Sequence, residues 1–182
     1  MTKIIIFVVL LVLILFFIST YNSLVVKRNR VKNAWAQIDV QLKKRFDLIP
    51  NLVETVKGYA KHEAGTLEAV VKARNQYISA VTPEEMMKAN TEMTGALSRL
   101  FALAENYPDL KANTNFMELQ NELTQVEDKI AYARQFYNDT VMIFNNAIQV
   151  FPANLLAGLF GFKEETYFKA DETERQNVKV QF

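Results

Sequence analysis

The chain has 182 residues, half of them hydrophobic, with 21 basic and 20 acidic side chains. That is one domain plus appendages, with no global basic field to draw it to nucleic acid. The absence of cysteine excludes disulfides, thiolate zinc sites, a cysteine nucleophile and a lipid-modified cysteine anchor.

Residues 4–18 are an unbroken apolar run, and no charge appears between Lys3 and Lys27, which leaves 23 uncharged residues at 4–26. As a helix at about 1.5 Å per residue this stretch spans roughly 34 Å, enough for a hydrocarbon core of about 30 Å. Cleavage as a signal peptide would need small residues at positions −3 and −1. The pairs Ser19/Tyr21, Thr20/Asn22 and Tyr21/Ser23 each hold a bulky or amide residue, which favours an uncleaved anchor. Only Lys3 precedes the run, whereas Lys27, Arg28, Arg30 and Lys32 follow it. The positive-inside rule then predicts the N-terminus outside and the remainder in the cytoplasm. The four membrane-proximal basic residues read first as this topology signal. The other reading is a hold on anionic headgroups, at about 1 kcal/mol per basic residue.

Beyond the anchor, Trp35, Ile38, Leu42, Arg45, Ile49, Leu52, Val56 and Tyr59 step by 3 and 4, the stripe of a helix in a bundle, continuing to about Lys61. Arg45 is the misfit. A guanidinium there either pairs inside the bundle or snorkels to solvent along its stem. Pro50 is the second anomaly, since a proline inside a helix removes a donor. Either the helix kinks, or a new helix begins with Asp47 as its N-cap. The lack of glycine before Gly58 favours the kink.

His62-Glu63-Ala64-Gly65-Thr66 reads as a turn, followed by a helix on Leu67, Val71, Arg74, Ile78 and Val81. Thr82-Pro83-Glu84-Glu85 predicts a capping box with proline at the first helical position. The third helix uses Met86, Asn90, Met93, Leu97, Leu100 and Ala104, and Asn106-Tyr107-Pro108-Asp109 ends it. Residues 113–151 hold the cleanest heptad, from Phe116 through Ile130 and Phe144 to Phe151. Beside it runs a half-polar stripe: Glu127, Ala131, Arg134, Asn138, Val141, Asn145, Ile148. Residues 153–168 suit a short helix and turn packed on the bundle end. Residues 169–182 are polar and aperiodic and are expected to be disordered.

The expected fold is therefore all-α: a transmembrane anchor at 1–26, then an up-and-down antiparallel bundle of about four helices at 27–168, the first kinked near Pro50. Arg45, Asp47, Asn51, Glu127, Arg134 and Asn138 form the candidate network. Arg45 would pair with an acid of the last helix, Glu127 first, with Asp47 and Asn51 near the rim. No catalytic set is apparent, and no cofactor or metal site is expected. His62 is the single histidine, so no histidine pair can hold a metal.

The stretch Arg45-Phe46-Asp47-Leu48-Ile49-Pro50-Asn51-Leu52-Val53-Glu54, then Gly58-Tyr59, His62-Glu63, Tyr107-Pro108-Asp109-Leu110-Lys111-Ala112-Asn113, Ala133-Arg134, Tyr137-Asn138, Asn145 and Phe151-Pro152 resemble the LemA family. The resemblance covers nearly the whole chain. It implies a bacterial membrane protein with one N-terminal span, a cytoplasmic up-and-down helical bundle and no enzymatic activity; the expected location is the inner membrane. The expected partners are lipid along residues 4–26 and an unknown protein or a second copy, with no nucleic acid and no small-molecule substrate. Two readings of function follow. The first is a non-catalytic scaffold or adaptor acting through helical surfaces. The alternative is a membrane-active protein that binds or remodels lipid with its basic juxtamembrane helix and aromatic 153–168 segment.

Overall fold

A computed structural model describes residues 1–60 and 63–168. His62 and the tail at 169–182 lie outside the described residues. The elements are α1 (Thr2–Lys57), α2 (Ala64–Ser79), α3 (Pro83–Ala104), α4 (Pro108–Lys111), α5 (Thr114–Gln149) and α6 (Ala153–Leu159). Among the described residues all regular structure is helical: a long apolar N-terminal helix, then a helical bundle.

The first helix ends at Lys57, short of the expected Lys61, and passes through Pro50 unbroken, so Asp47 caps no new helix. The reason is local. Pro50 has no N–H to give the carbonyl of Phe46, four residues back. Arg74 Nε of α2 donates to that carbonyl at 3.4 Å. Pro50 itself faces solvent, so its ring displaces no core side chain.

The chain forms two compact units, Ile38–Ala133 and a second made of Met1–Gln37 with Arg134–Tyr167. In the first, side-chain pairs fix the helix directions. Tyr77 hydroxyl donates to Asp39 at 3.1 Å, and its ring stacks on Phe46 at 4.0 Å, so α2 runs back along α1. Three residues, 80–82, link α2 to α3, which packs against it. Asn113 of the turn before α5 reaches Tyr59 hydroxyl, whereas Glu127, further along α5, reaches Arg45, so α5 also opposes α1. The core between them holds Ile49 and Leu52, Met93 and Leu100, Phe116 and Ile130, all buried.

Two expectations are corrected here. The apolar stripe assigned to α2 is off by one face: Leu67, Val70 and Ala73 are buried, while Val71, Ile78 and Val81 are exposed. Stacking of Tyr77 on Phe46 turns the 70/73/77 side inward, and Val81 lies beyond the helix end at Ser79. Phe151, assigned to the core of α5, is exposed because that helix stops at Gln149. The start of α3 matches the sequence. Thr82 Oγ1 accepts from Glu85 N at 3.2 Å, and Glu85 Oε2 accepts from Thr82 N at 3.1 Å.

In the second unit every residue from 4 to 18 on α1 is exposed, and burial begins at Leu24. Val31, Ala34, Val141 and Phe144 are buried in its core, and Trp35 meets Tyr137 edge-on at 5.7 Å. α6 ends in a paired cap. Gly161 takes φ +68°, its N–H bonds Gly158 O at 3.4 Å, and Phe162 N–H bonds Ala157 O at 2.9 Å. This left-handed residue is the one place where glycine is required. The cap turns Phe162 inward, and the chain returns without helix over 163–167.

Candidate functional site

Arg45 sits on the buried face of α1 with 3% of its surface exposed. Its Nη1 donates to Asn90 Oδ1 at 2.5 Å and to Thr94 Oγ1 at 3.1 Å, both on α3. Thr94 hydroxyl donates in turn to Asn90 O at 3.1 Å. Nη2 lies 2.8 Å from Glu127 Oε2 of α5, whose side chain is 37% exposed. That carboxylate oxygen is off the N–H axis, so the contact is an ion pair rather than an aligned hydrogen bond. Arg45 Nε is buried with no protein acceptor. Burial lowers the guanidinium's proton affinity from its ordinary value, and the Glu127 charge opposes that shift. A cavity of about 200 Å³ adjoins the pair, with Thr94, Ser98, Thr124 and Asp128 in its wall.

The arrangement ties three helices through one cation. A buried charge of this kind is weak evidence of stability, and its best-attested use is to fix register between helices. It contains neither a nucleophile–base pair nor a converging set of metal ligands.

The remaining predicted residues fall elsewhere. Asp47 and Asn51 are exposed on the far side of α1; Asp47 acts on Tyr77, and the Asn51 carbonyl accepts from Thr55 hydroxyl at 2.8 Å. Arg134 and Asn138 belong to the other unit, half-buried, and neither is free. The physical reason is that the polar stripe of α5 serves two tasks. Its first polar member, Glu127, pairs with Arg45. Its buried Asn145 clamps the return segment: Nδ2 donates to Glu165 O, and Oδ1 accepts from Glu165 N, each at 2.9 Å. Tyr137 hydroxyl donates to Thr166 O at 2.9 Å beside it.

Asn90 and Thr94 were not among the expected partners of Arg45. The signal for Asn90 was present, since an amide stood on the core stripe of the third helix as Arg45 stood on that of the first. Of the basic quartet, Arg28 lies 4.9 Å over the Phe162 ring and Lys27 donates to Ser23 hydroxyl, whereas Arg30 and Lys32 are exposed.

The 107–113 motif is structural. Tyr107 hydroxyl donates to Glu63 at 3.3 Å, Leu110 is buried, and Asn113 Oδ1 accepts from Phe116 N at 3.0 Å as the N-cap of α5. Asn113 Nδ2 also donates to Tyr59 hydroxyl at 3.0 Å. A groove of about 850 Å³ lies between the end of α1 and α2. Val53, Ala60, Leu67 and Val71 line it, together with Lys57, Glu68 and Lys72, of which Lys57 pairs with Glu54 at 2.9 Å.

Fold and site together define a membrane-associated helical protein: among the described residues, an N-terminal helix long and apolar enough to cross a bilayer, then packed helices joined through a buried arginine. The chain belongs to the LemA family, whose sequence profile matches residues 34–182. It is 28% identical to Protein LemA of Metamycoplasma hominis over 166 residues, 89% of this chain and 74% of that one. It is 25% identical over 175 residues to Magnetosome protein MamQ 2 of Paramagnetospirillum magneticum, covering 82% of this chain and 64% of the relative. Against Magnetosome protein MamQ of Magnetospirillum gryphiswaldense it is 25% identical over 174 residues, 81% of this chain and 64% of that one. The chain thus spans just under two thirds of the magnetosome proteins' length.

Proposed function

We propose that this protein is a non-catalytic scaffold, anchored by residues 4–26 in the inner membrane of a bacterium, that holds a partner helix on its cytoplasmic bundle. The observation that carries this reading is the apolar groove between α1 and α2, open among the described residues. Its apolar floor suits the apolar face of an amphipathic helix, and its rim of Lys57, Glu68, Lys72, Asn75 and Gln76 carries both charges and amides for polar contacts beside it. The charge asymmetry across the span supports the orientation. The test is a photo-crosslinking amino acid placed at Val71, in the groove, and at Lys44, exposed outside it, in native membranes. The expected result is one discrete protein adduct at 71 and none at 44. Equal labelling at both positions, or lipid adducts alone at 71, would overturn the reading. Adducts of twice the chain's mass would identify the partner as a second copy. The alternative, a lipid-active protein, is favoured by the uncovered apolar side chains of α6.

A further inference from the structure

The second unit leaves a row of large apolar side chains uncovered: Val150, Phe151, Leu155, Leu159 and Phe160, with Phe151 79% and Leu159 77% exposed. The other side of α6 is packed, with Leu156, Ala157 and Phe162 buried. No charged residue occurs from Thr140 to Phe162. A patch of this size on a surface bathed by water marks a contact that is missing.

What α6 packs against identifies the contact. Tyr21 ring lies 4.8 Å from Phe160 and 5.9 Å from Phe162. An apolar cavity of about 420 Å³ lies between Phe17, Ile18 and Tyr21 of α1 and Leu156, Leu159 and Phe160. Phe17 and Ile18 end the apolar run of α1. The outer face of α6 therefore stands at the depth of the last turns of the span, where the surrounding medium is lipid and not water. α6 also turns 94° from α5, as a segment lying along a bilayer surface would beside helices that stand on it. The polar markers agree. Tyr21 has the amphipathic ring favoured at headgroup level, and Arg28, two turns on, holds Phe162 from the aqueous side.

We propose that α6 and its flanks, residues 150–160, are a second membrane contact: an interfacial segment whose Phe151, Leu155, Leu159 and Phe160 side chains dip among the acyl chains beside the single span. The occupant of the uncovered face and of the apolar cavity is lipid. This rests on residues 4–26 crossing the bilayer, and the experiment separates the two claims.

The cysteine-free chain accepts single cysteines without background. Leu159→Cys, Leu155→Cys, Leu13→Cys and Asn33→Cys variants of the full chain, spin-labelled, are reconstituted into phosphatidylcholine–phosphatidylglycerol vesicles. Collision with oxygen, which partitions into lipid, is compared with collision with a water-soluble nickel chelate. At 159 and 155 oxygen should exceed nickel several-fold, as at 13, with the reverse at 33. Nickel dominant at 159 and 155 while oxygen dominates at 13 would overturn the proposal and leave the span intact. Both reagents excluded at 159 and 155 would mean that protein covers α6, which also overturns it. Nickel dominant at 13 would refute the span itself. Both α6 sites are exposed helix positions, so the label displaces no core side chain.

Discussion

Removing the Glu127 charge tests the buried arginine most directly. In Glu127→Gln the guanidinium stays 3% exposed, keeps Asn90 and Thr94, and loses its counter-charge. Breaking a fully buried pair costs about 3–5 kcal/mol, and an exposed pair about 0–1 kcal/mol. Because the Glu127 side chain is 37% exposed, water recovers part of the loss, and the expected cost is about 2 kcal/mol. Arg45→Met removes a cation that was costly to desolvate and frees Glu127 to hydrate. It strands the buried Asn90 Oδ1, for a cost of about 1–3 kcal/mol. In the double variant Glu127 has nothing left to lose, so the coupling should be about 2 kcal/mol. Adding Asn90→Leu to Arg45→Met should recover stability, since it removes the orphaned acceptor. The assay is urea unfolding of the full chain in micelles, followed by far-UV circular dichroism. Coupling below about 0.5 kcal/mol, with Glu127→Gln mild, would make Arg45–Glu127 an incidental contact.

Pro50→Ala should stabilise the fold by about 2 kcal/mol, a helix-propensity gain of about 3 less about 1 for the displaced Arg74 bond, read by the same unfolding assay. A fragment beginning at residue 20 should be about 2–4 kcal/mol more stable than one beginning at 27, because the shorter one loses buried Leu24 and the contacts of the Tyr21 ring with Phe160 and Phe162. Burial and the charges of Asp39 and Asp47 raise the Tyr77 hydroxyl above its ordinary pKa, so the neutral form is favoured in the folded state. Its contribution is complete below the unfolded tyrosine value of about 10 and is lost as pH rises beyond it. Stability measured from pH 9 to 11 should therefore fall less steeply in Tyr77→Phe than in the parent. A periplasmic reporter fused after Phe182 should be inactive and a cytoplasmic one active, the reverse pattern refuting the orientation.

The helices were legible because periodicity is a one-dimensional signal. The α5 heptad from Phe116 to Phe144 is buried as read except at half-buried Leu119 and Ala133, and the Thr82–Glu85 capping box needs only four consecutive residues. The face of α2 was not legible. Leu67, Val71 and Ile78 form as good a stripe as Leu67, Val70 and Ala73, and the choice rests on Tyr77 meeting Phe46, a contact between distant residues. Arg45 stood out in the sequence as a charge on an apolar stripe. Its α3 partners depended on rotations about helix axes that spacing does not record. The polar stripe of α5 misled because the return of residues 163–167 along that helix has no periodic signature, so Asn138 and Arg134 were grouped with Glu127.

Pro50 has a consequence beyond its own turn. Heptad surfaces are nearly self-similar, so one helix slid by seven residues along another still meets apolar side chains. Backbone carbonyls in a regular helix offer no landmark, because each is already bonded. The proline breaks that sameness by leaving the Phe46 carbonyl open, and Arg74 takes it. The missing amide works as a punctuation mark that the neighbouring helix can read. A slide of α2 by one repeat would leave this acceptor unclaimed and set Arg74 against carbonyls that have nothing to offer.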